Sequence, residues 1–372
     1  MITILVLDNS VYFTGAIDSI VGIANRLRGR FNFEFVMNGN SPAADFVRSK
    51  GFAVHDVRFV ELNRSLRVLF YPFALVRSAL QVRSIARRSG AALIHVNDIY
   101  NMAGLLAGRF PARIPVIHHV RLLRNSYLRP IYGTLSRIVK AGAQAIVAVS
   151  GSVLADMGAG PGIHVVHNGM SSEPMHPPKV YRALTSDCRF LYVGNYVRGK
   201  GHDVAIKAFS KVADRLPGST LRFVGAGAAG ELDLAFVGEI RKLAVDSGLG
   251  DRIAMDARVG DVEAAMKAAD VVLNFSYSES FSKVCLEALT YGVPLISTDS
   301  GGPGELIEHE VTGLLIANGS CEEASEAMLR IAENPGLGRR LGTAAAARTP
   351  ERFSIDAAAN RVAQIYLDVL AK

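Results

Sequence analysis

The sequence predicts an α/β fold built from two doubly wound domains, and three observations support this prediction. The chain has 372 residues, which is long for one ordinary domain and suits two. Short, nearly continuous apolar runs alternate with longer stretches of helical periodicity, as expected for parallel sheets that are covered on both faces. The alternation stops at 161–178, where Gly, Pro and His dominate, and then begins again, which indicates a second domain.

The N-terminal domain is predicted over residues 1–169. The first eight residues contain no basic leader and reach Asp8 quickly, so they predict a first strand rather than a signal peptide. Apolar runs predict strands at 2–7, 33–37, 92–96, 115–120 and 145–149. Helical patterns between them include 15–28, 103–108 and 128–140.

A linker is predicted over 170–188, and a C-terminal domain over 189–352. Its apolar runs predict strands at 189–194, 220–225, 252–256, 270–275 and 293–298. Helices are predicted at 201–215, 231–247, 261–268 and 283–291. Apolar residues at helical spacing predict a last helix in 353–372, which we expect to pack back toward the N-terminal domain. Both domains would be Rossmann-like and face a central cleft.

Composition narrows the possible partners. The formal net charge of +7 fits an acidic substrate or an anionic membrane, whereas nucleic acid is not expected because the few aromatic residues do not alternate with basic ones. Three scattered cysteines form neither a metal-binding spacing nor a disulfide framework, which indicates a reducing cytoplasm. No apolar run approaches the roughly 18–20 residues of a spanning helix, so we expect any membrane contact to be peripheral.

The segment 63–88 is the candidate for such a contact. It carries six arginines among Leu, Val, Phe and Tyr, as does a helix that lies on an anionic membrane surface. An ordinary amphipathic surface helix with a break at Pro72 is the alternative interpretation.

The stretch from Ser276 to Leu289 is the main candidate for a ligand site. It follows an apolar run that predicts a buried strand, and a helix is predicted to begin near Ser282. The free N–H groups at the start of a helix suit a phosphate. Glu279 and Glu287 would repel a phosphate and suit hydroxyl groups instead, so the stretch suggests a nucleotide sugar. For Glu287, a capping or salt-bridge role is the alternative.

The loop at 193–202 adds a basic group to this site. It is rich in glycine, follows a predicted strand and contains Lys200, which can bind a diphosphate as a point charge. The alternative is a flexible basic surface turn.

A second glycine-rich loop, at 223–230, matches the pattern G-x-G-x-x-G through Gly225 and Gly227. It lies in the second βα unit of its domain, and the acid at the expected distance, Asp246, falls inside a predicted helix. The loop therefore indicates a tight turn near a nucleotide rather than a dinucleotide site.

Polar residues also end two predicted strands of the N-terminal domain. His118 and His119 project to opposite faces of their strand, so at most one faces a given site, and either could be a hydrogen-bonded structural residue. Asn97 and Asp98 end the preceding strand. The sequence contains no Asp-x-Asp motif and no His/Cys cluster with ligand spacing, so we expect no metal. Lys, Arg and helix N-termini would then meet any leaving-group charge.

Together these residues resemble the large family of retaining glycosyltransferases called family 4, which has the GT-B fold. The resemblance covers essentially the whole chain. Residues 276–294 are similar to the family's S-x-x-E-[GS]-F-G…E-A-x-x-x-G-x-P signature, and 301–313 to the block after it. The loop at 193–201 resembles the diphosphate loop, and 166–169 resembles the turn before the linker.

The resemblance implies a role for each matched residue. Glu287 would hold the ribose hydroxyls of the donor, Glu279 would lie by the donor sugar and Lys200 would bind the diphosphate. The other implied donor-side residues are Asn195, Arg198, Gly225, Gly227, Ser276, Phe281, Ser282, Lys283 and Val284. The implied acceptor-side residues are Gly15, Asn97, Asp98 and His118.

Three positions depart from the family's pattern. Asn195 stands where an Arg commonly precedes the Lys, so Arg198 would substitute for it. Ser282 replaces the usual Gly after Phe. Arg121 falls where the family often has its active-site His, so either His119 covers that role from the strand or Arg121 holds the donor sugar itself.

The resemblance implies a cytoplasmic, metal-independent enzyme without a cofactor. It would transfer a sugar, with retention at the anomeric carbon, from a UDP- or GDP-sugar to a hydroxyl of a glycan or lipid-linked glycan. Bacterial cell-envelope or exopolysaccharide synthesis at the inner leaflet is the expected setting. A nucleotide-sugar epimerase, a catalytically silent sugar-nucleotide-binding protein and a dinucleotide oxidoreductase are the alternatives.

Overall fold

The computed structural model describes residues 1–59, 71–109, 113–126, 129–170, 179–181, 187–225, 233–256 and 260–372. These residues form two compact units. Unit 1 comprises Met1–Gly169 with Ile355–Lys372, and unit 2 comprises Met170–Ser354. Each unit contains one parallel sheet with helices on its faces, which is the α/β class that the sequence predicts.

Unit 1 contains a sheet with the order β3-β2-β1-β4-β5-β6-β7, in which every pairing is parallel. The strands are β1 (Ile2–Leu7), β2 (Phe31–Met37), β3 (Ala53–Asp56), β4 (Ala91–Val96), β5 (Val116–Val120), β6 (Ala145–Ala148) and β7 (Ile163–Val165). Its first helices are α1 (Gly15–Arg26), α2 (Pro42–Ser49), α3 (Tyr71–Arg88), α4 (Ala103–Arg109), α5 (Arg129–Gly142) and α6 (Gly151–Met157). The order reverses between β1 and β4, which opens a crevice at the carboxyl ends of these strands.

Unit 2 contains a parallel sheet with the order β10-β9-β8-β11-β12-β13. Its strands are β8 (Arg189–Val193), β9 (Thr220–Val224), β10 (Ile253–Asp256), β11 (Val271–Asn274), β12 (Leu295–Thr298) and β13 (Leu314–Ile316). Its helices are α7 (His202–Val212), α8 (Leu234–Asp246), α9 (Val262–Ala268), α10 (Lys283–Thr290), α11 (Gly302–Leu306), α12 (Cys321–Glu333) and α13 (Pro335–Arg352). Here the order reverses between β8 and β11.

The terminal helix α14 (Ile355–Leu370) completes the core of unit 1 although it follows unit 2 in the chain. It packs against α1. Val362 and Tyr366 lie on its buried face, and the Tyr366 ring meets the Phe31 ring edge-on at 5.5 Å. The helical spacing of its apolar residues therefore describes a face that covers the unit 1 sheet.

Most predicted elements are present within one to three residues of their predicted ends. Asp246, the acid of the G-x-G-x-x-G pattern, is the last residue of α8, so its position inside a helix is confirmed. The prediction leaves out β3 and β7, which are edge strands of four and three residues with no fully buried side chain and hence no apolar run. In unit 2 it also leaves out the edge strand β13 and the helices α11, α12 and α13.

The predicted linker at 170–188 is described only in part, because 171–178 and 182–186 lie outside the described residues. Lys179 Nζ donates hydrogen bonds to the carbonyls of Lys267 (2.8 Å) and Ala269. Tyr181 Oη donates to the carbonyl of Gly292 at 2.6 Å. The described part of this segment is therefore attached to unit 2.

Candidate functional site

The main candidate site lies where the strand order of unit 2 reverses. Loop A (194–201) follows β8, and loop B (275–282) follows β11, so both leave neighbouring strand ends. The amide of Tyr277 in loop B donates to the carbonyl of Gly199 in loop A at 2.9 Å. Gly201 has a φ of 73°, and a Cβ there would lie 2.0 Å from the Phe275 carbonyl oxygen. Only glycine permits this approach of the two loops.

Each of the two predicted glutamates is paired with a lysine. Lys200 Nζ lies 2.5 Å from Glu279 Oε1, and Lys283 Nζ lies 3.4 Å from Glu287 Oε1. The lysine side chains are 31% and 32% exposed and both carboxylates are 15% exposed. Partly exposed pairs contribute only about 0–1 kcal/mol, so an anionic ligand can replace the carboxylate at little cost.

Loop B is held by the residues around Glu279. The Glu279 amide donates to the Ser300 carbonyl (3.0 Å), and the Gly302 amide donates to the Glu279 carbonyl (2.8 Å). A Cβ on Gly302 would lie 2.3 Å from Phe281 Cα, so the loop after β12 lies directly on loop B. The Phe281 ring is buried and meets the Phe353 ring at 5.9 Å. Its side chain therefore packs in the core, and only its backbone can face a ligand.

Ser282 is the N-cap of α10, so the helix begins where the sequence predicts. Its Oγ accepts from the Cys285 amide (3.4 Å) and from Asn274 Nδ2 (2.7 Å). Its φ is 69°, a value that an L-residue adopts at a cost. Asn274 is buried at the end of β11, and its Oδ1 also accepts from the Ser276 amide at 3.2 Å. Asn274 thus fixes both the start of loop B and the start of α10.

A second polar cluster lies at the strand-order reversal of unit 1. Arg121, which follows β5, is 5% exposed and donates to three neighbours besides His119. Its Nε donates to Asn97 Oδ1 (2.6 Å), and its Nη1 donates to Asn168 Oδ1 (2.8 Å) and Ser19 Oγ (3.3 Å). Asn97 Nδ2 in turn donates to Asp8 at the end of β1. The guanidinium therefore joins β4, α1 and the last residues of the N-terminal part of unit 1.

The histidines of this cluster are buried and neutral. Arg121 Nη2 lies 3.2 Å from His119 Nδ1. Because a guanidinium can only donate, Nδ1 accepts and the proton of His119 lies on Nε2, which has no partner among the described residues. Burial lowers the pKa of His119 well below its ordinary value, and it lowers the pKa values of His95 and His118 to about 3.

Asp98 lies in the same cluster, but burial shifts its pKa in the opposite direction from that of the histidines. Its Oδ1 accepts from the Ile99 amide at 2.6 Å. Burial raises the pKa of Asp98 to about 7, although the Ile99 amide and Arg121 lower it in part. Gly15, in contrast, is an exposed residue in the first turn of α1.

Comparison with known proteins assigns the chain to a family. One family model, described as "Glycosyl transferases group 1", matches residues 179–348, and a second, described as "Glycosyltransferase Family 4", matches residues 14–173. The chain belongs to the group 1 glycosyltransferases.

Individual relatives of this chain agree with the assignment. It is 32% identical over 185 residues to a D-inositol 3-phosphate glycosyltransferase of Streptomyces griseus, a match that covers 49% of the chain and 39% of that relative. It is 26% identical over 317 residues to a glycogen synthase of Mycobacterium tuberculosis, covering 79% of the chain and 73% of that protein. The chain thus spans about two fifths of the first relative's length.

Solved structures show the fold. The structure of Anabaena Alr3699/HepE in complex with UDP-glucose superposes with a TM-score of 0.83 at 21% identity, covering 99% of this chain and 100% of that one. A sucrose-phosphate synthase of Thermosynechococcus elongatus gives a TM-score of 0.83 at 19% identity, and all of both chains is covered. The chain therefore has the GT-B fold that the sequence resemblance implies.

The other predicted donor-side residues differ from one another in exposure and in the partners that they contact. Asn195 is exposed, and Arg198 is bound to Glu239 on α8, with Nη2 2.6 Å from Oε1. Ser276 is buried and its carbonyl accepts from Thr298 Oγ1 at 2.6 Å. Val284 is half-buried in the first turn of α10.

Two of the three glycines in the G-x-G-x-x-G pattern are predicted donor-side residues, and the structure describes one of them. A Cβ on Gly225 would lie 1.9 Å from the Gly194 carbonyl oxygen, so this glycine permits contact with loop A. Gly227 lies outside the described residues.

Sequence reasoning missed several residues that organise these two clusters. Asn274 and Tyr192 carry polar atoms at the ends of apolar strands, and that position is a readable signal. Ser19 offers no such signal, because its partners Asn168 and Arg121 are distant in sequence. Among the described residues, no group of three His, Cys, Asp or Glu side chains could hold a metal ion.

Proposed function

We propose that this chain is a retaining glycosyltransferase that moves a sugar from a UDP- or GDP-sugar to an acceptor hydroxyl. The observation that carries the proposal is the pair of lysine–carboxylate contacts at the strand-order reversal of unit 2, beside the N-terminus of α10. Two positive groups suit a diphosphate, and two carboxylates suit sugar hydroxyls. The UDP-glucose complex of the HepE protein supports a uridine nucleotide as donor.

The residues divide the work by charge. As the bond between the anomeric carbon and the diphosphate breaks, negative charge grows on the phosphate oxygens, and Lys200 with the N–H groups of α10 stabilises it. Glu287 accepts hydrogen bonds from the ribose hydroxyls, and Glu279 accepts from the donor sugar. The acceptor oxygen forms its bond to the same face of the anomeric carbon, and its proton passes to the departing diphosphate.

We also propose that this transfer needs no metal ion and no cofactor. The support is that Lys200 and Lys283 supply positive charge beside the N-terminus of α10, and such charge can neutralise a diphosphate without a metal. Full turnover in EDTA is the expected result. A rate that requires added Mn²⁺ would contradict this part of the proposal.

The acceptor is proposed to be a glycan or lipid-linked glycan of bacterial cell-envelope or exopolysaccharide synthesis, reached in the cytoplasm at the inner leaflet. The support is α3. Phe73 (74% exposed) and Leu80 (66% exposed) lie seven residues apart on its outer face. Exposed arginines on that helix are Arg77, Arg87 and Arg88, and α3 contains no acidic residue. An anionic membrane surface complements such a face.

Two features limit the membrane face to part of the predicted segment. Arg83 is buried, with Nη1 3.4 Å from the Ala107 carbonyl, so it faces the interior of unit 1. Residues 60–70 lie outside the described residues, and Pro72 falls in the first turn of α3 as described. Among the described residues no helix combines the length and apolarity that crossing a membrane demands.

Calorimetry with UDP, GDP and NAD tests the donor class, and release of UDP or GDP from sugar nucleotides tests turnover. Binding of one nucleoside diphosphate with slow product release is expected. Tight NAD binding without nucleoside-diphosphate binding would contradict the proposal. Binding without turnover would favour a catalytically silent protein, which the exposed Asn195 and the buried Arg121 support. Conversion of the donor to another sugar nucleotide would indicate an epimerase.

Liposome flotation tests the membrane contact. We expect flotation with vesicles that contain phosphatidylglycerol and little with phosphatidylcholine alone. Changing Phe73 and Leu80 to Ser should weaken flotation. The matched control is Val245→Ser, which changes an exposed apolar residue on α8. Unchanged flotation in the Phe73 and Leu80 variant would reject α3 as the contact.

A further inference from the structure

Tyr192 lies in β8 directly beneath both loops of the candidate site. Its side chain is fully buried, and its ring packs against the rings of His202 (5.1 Å), Phe223 (5.5 Å) and Phe275 (6.1 Å). A phenylalanine would fill this space equally well. The hydroxyl is therefore the part of the side chain whose presence packing does not explain.

The hydroxyl joins the backbones of loop A and loop B. It donates to the carbonyl of Lys200 and accepts from the amide of Phe275 at 2.9 Å. A phenol has one proton to donate and lone pairs to accept, so it makes both bonds at once. One bond thus holds the residue that carries the ammonium group, and the other holds the first residue of the loop that carries Glu279.

We propose that Tyr192 is a positioning residue for the donor diphosphate, because its hydroxyl fixes Lys200 relative to loop B and the N-terminus of α10. This inference rests on the proposed function. The side chain of Tyr192 touches no ligand in this scheme and acts through Lys200. The backbone hydrogen bond from Tyr277 N to Gly199 O also joins the loops, but it does not hold Lys200 itself. The Lys200–Glu279 contact holds only the end of the lysine side chain.

The hydroxyl keeps its proton while it performs this role. Burial raises the pKa of Tyr192 far above its ordinary value, although the Phe275 amide and Ser276 lower it in part. The hydroxyl is therefore protonated near neutral pH and can donate to the Lys200 carbonyl. Tyr192 should not contribute a titration step to the pH profile of the reaction, which separates positioning from acid–base chemistry.

The variant Tyr192→Phe tests the inference, because it retains the ring and leaves the Lys200 carbonyl and the Phe275 amide without this partner. Binding of UDP and UMP, and of GDP and GMP, is measured by calorimetry in the wild-type chain, in Tyr192→Phe and in Lys200→Ala. We expect Tyr192→Phe to weaken nucleoside-diphosphate binding about tenfold. Nucleoside-monophosphate binding should change by less than about twofold.

The double variant shows whether Tyr192 acts through Lys200. In a chain that already carries Lys200→Ala, adding Tyr192→Phe should lower UDP or GDP affinity no further. Tyr366→Phe is the matched control, because this fully buried tyrosine of unit 1 also loses one hydrogen bond, to His95 Nδ1, and should leave nucleotide binding unchanged.

Three results would overturn the inference. These are an equal loss of diphosphate and monophosphate binding, an undiminished loss in the Lys200→Ala background, and wild-type binding by Tyr192→Phe. A wild-type chain that binds neither UDP nor GDP would instead reject the proposed function, and the inference with it. A wild-type chain that binds normally while Tyr192→Phe fails these expectations rejects the inference alone.

Discussion

The two units carry similar polar residues at the same kind of position, the carboxyl ends of parallel strands at an order reversal, but they hold them differently. In unit 2, the Lys200 and Lys283 side chains are about one third exposed, and each has a carboxylate as its partner. In unit 1, Arg121 and His119 are almost completely buried and bonded to neutral groups. An anionic ligand can take the place of the carboxylate beside a partly exposed lysine. The buried hydrogen bonds of Arg121 and His119 would have to be lost before either side chain could bind a ligand.

This difference indicates that the cluster in unit 2 binds a ligand and that the cluster in unit 1 stabilises the fold. An exposed ion pair contributes little to folding, so residues in it are available for a ligand. A buried guanidinium that donates to Asn97, Ser19 and Asn168 contributes to folding, because removing it would leave the buried Asn97 Oδ1 without this donor. We therefore interpret Arg121 as a residue that positions β4, β5 and α1, and not as one that holds the donor sugar.

Lys200→Ala gives the largest effect that the comparison predicts. Removing a charge that stabilises the departing diphosphate should lower kcat/KM by about 10²–10³-fold, measured as release of nucleoside diphosphate. The free energy of unfolding should change by less than about 1 kcal/mol, because the pair with Glu279 is partly exposed. Lys207→Ala, which breaks an exposed pair with Asp203 on α7, is the control and should keep wild-type turnover. Near-wild-type turnover of Lys200→Ala would mean that the site is misplaced.

Arg121→Leu should act on stability instead. It removes one donor from each of four side-chain acceptors in unit 1, so we expect the free energy of unfolding in urea to fall by about 3 kcal/mol. Arg137→Leu, at an exposed position of α5, should change it by less than about 0.5 kcal/mol. If Arg121→Leu remained stable and lost turnover, the structural role given to Arg121 would be wrong, and Arg121 would belong to the reacting site.

The titration of Asp98 should make the free energy of unfolding depend on pH. Its pKa is raised by burial from 3.8 to about 7, so the folded state binds a proton that the unfolded chain has already released. The stabilisation from this proton is present at low pH and is lost as the pH rises through about 7. Asp98→Asn keeps the acceptor for the Ile99 amide and carries no such proton. Relative to the wild type, it should therefore gain roughly 2 kcal/mol between pH 5 and pH 7.

Urea unfolding at each pH measures this gain. The buried histidines titrate alike in both chains, so their contribution cancels in the difference. A difference that stays flat from pH 5 to pH 7 would contradict the assignment. A loss of turnover without a stability change would place Asp98 in the reaction instead.

The two loops of unit 2 are easier to recognise in the sequence than the polar cluster of unit 1, for a physical reason. Loop A and loop B are each one short stretch between a strand and a helix, so each can be recognised from a local pattern, although Lys200 and Glu279 pair across the two loops. Arg121 instead depends on Ser19, Asn97 and Asn168, which come from three separate segments, and no local pattern shows that they meet around one guanidinium. The pattern locates a polar strand end, but burial decides whether that polar group faces a ligand or the core.

Ser282 gives the smallest effect and tests the donor side at its one unusual residue. Its φ of 69° favours glycine, the residue that the family commonly has there, while its Oγ caps α10. Ser282→Gly loses the cap and relieves the strain, so the free energy of unfolding should stay within about 0.5 kcal/mol of wild type. Ser282→Ala loses the cap and keeps the strain, so it should be about 1 kcal/mol less stable than Ser282→Gly. Equal stabilities would mean that the backbone of loop B relaxes without the serine, and that its geometry is set by Gly201 and Gly302 instead.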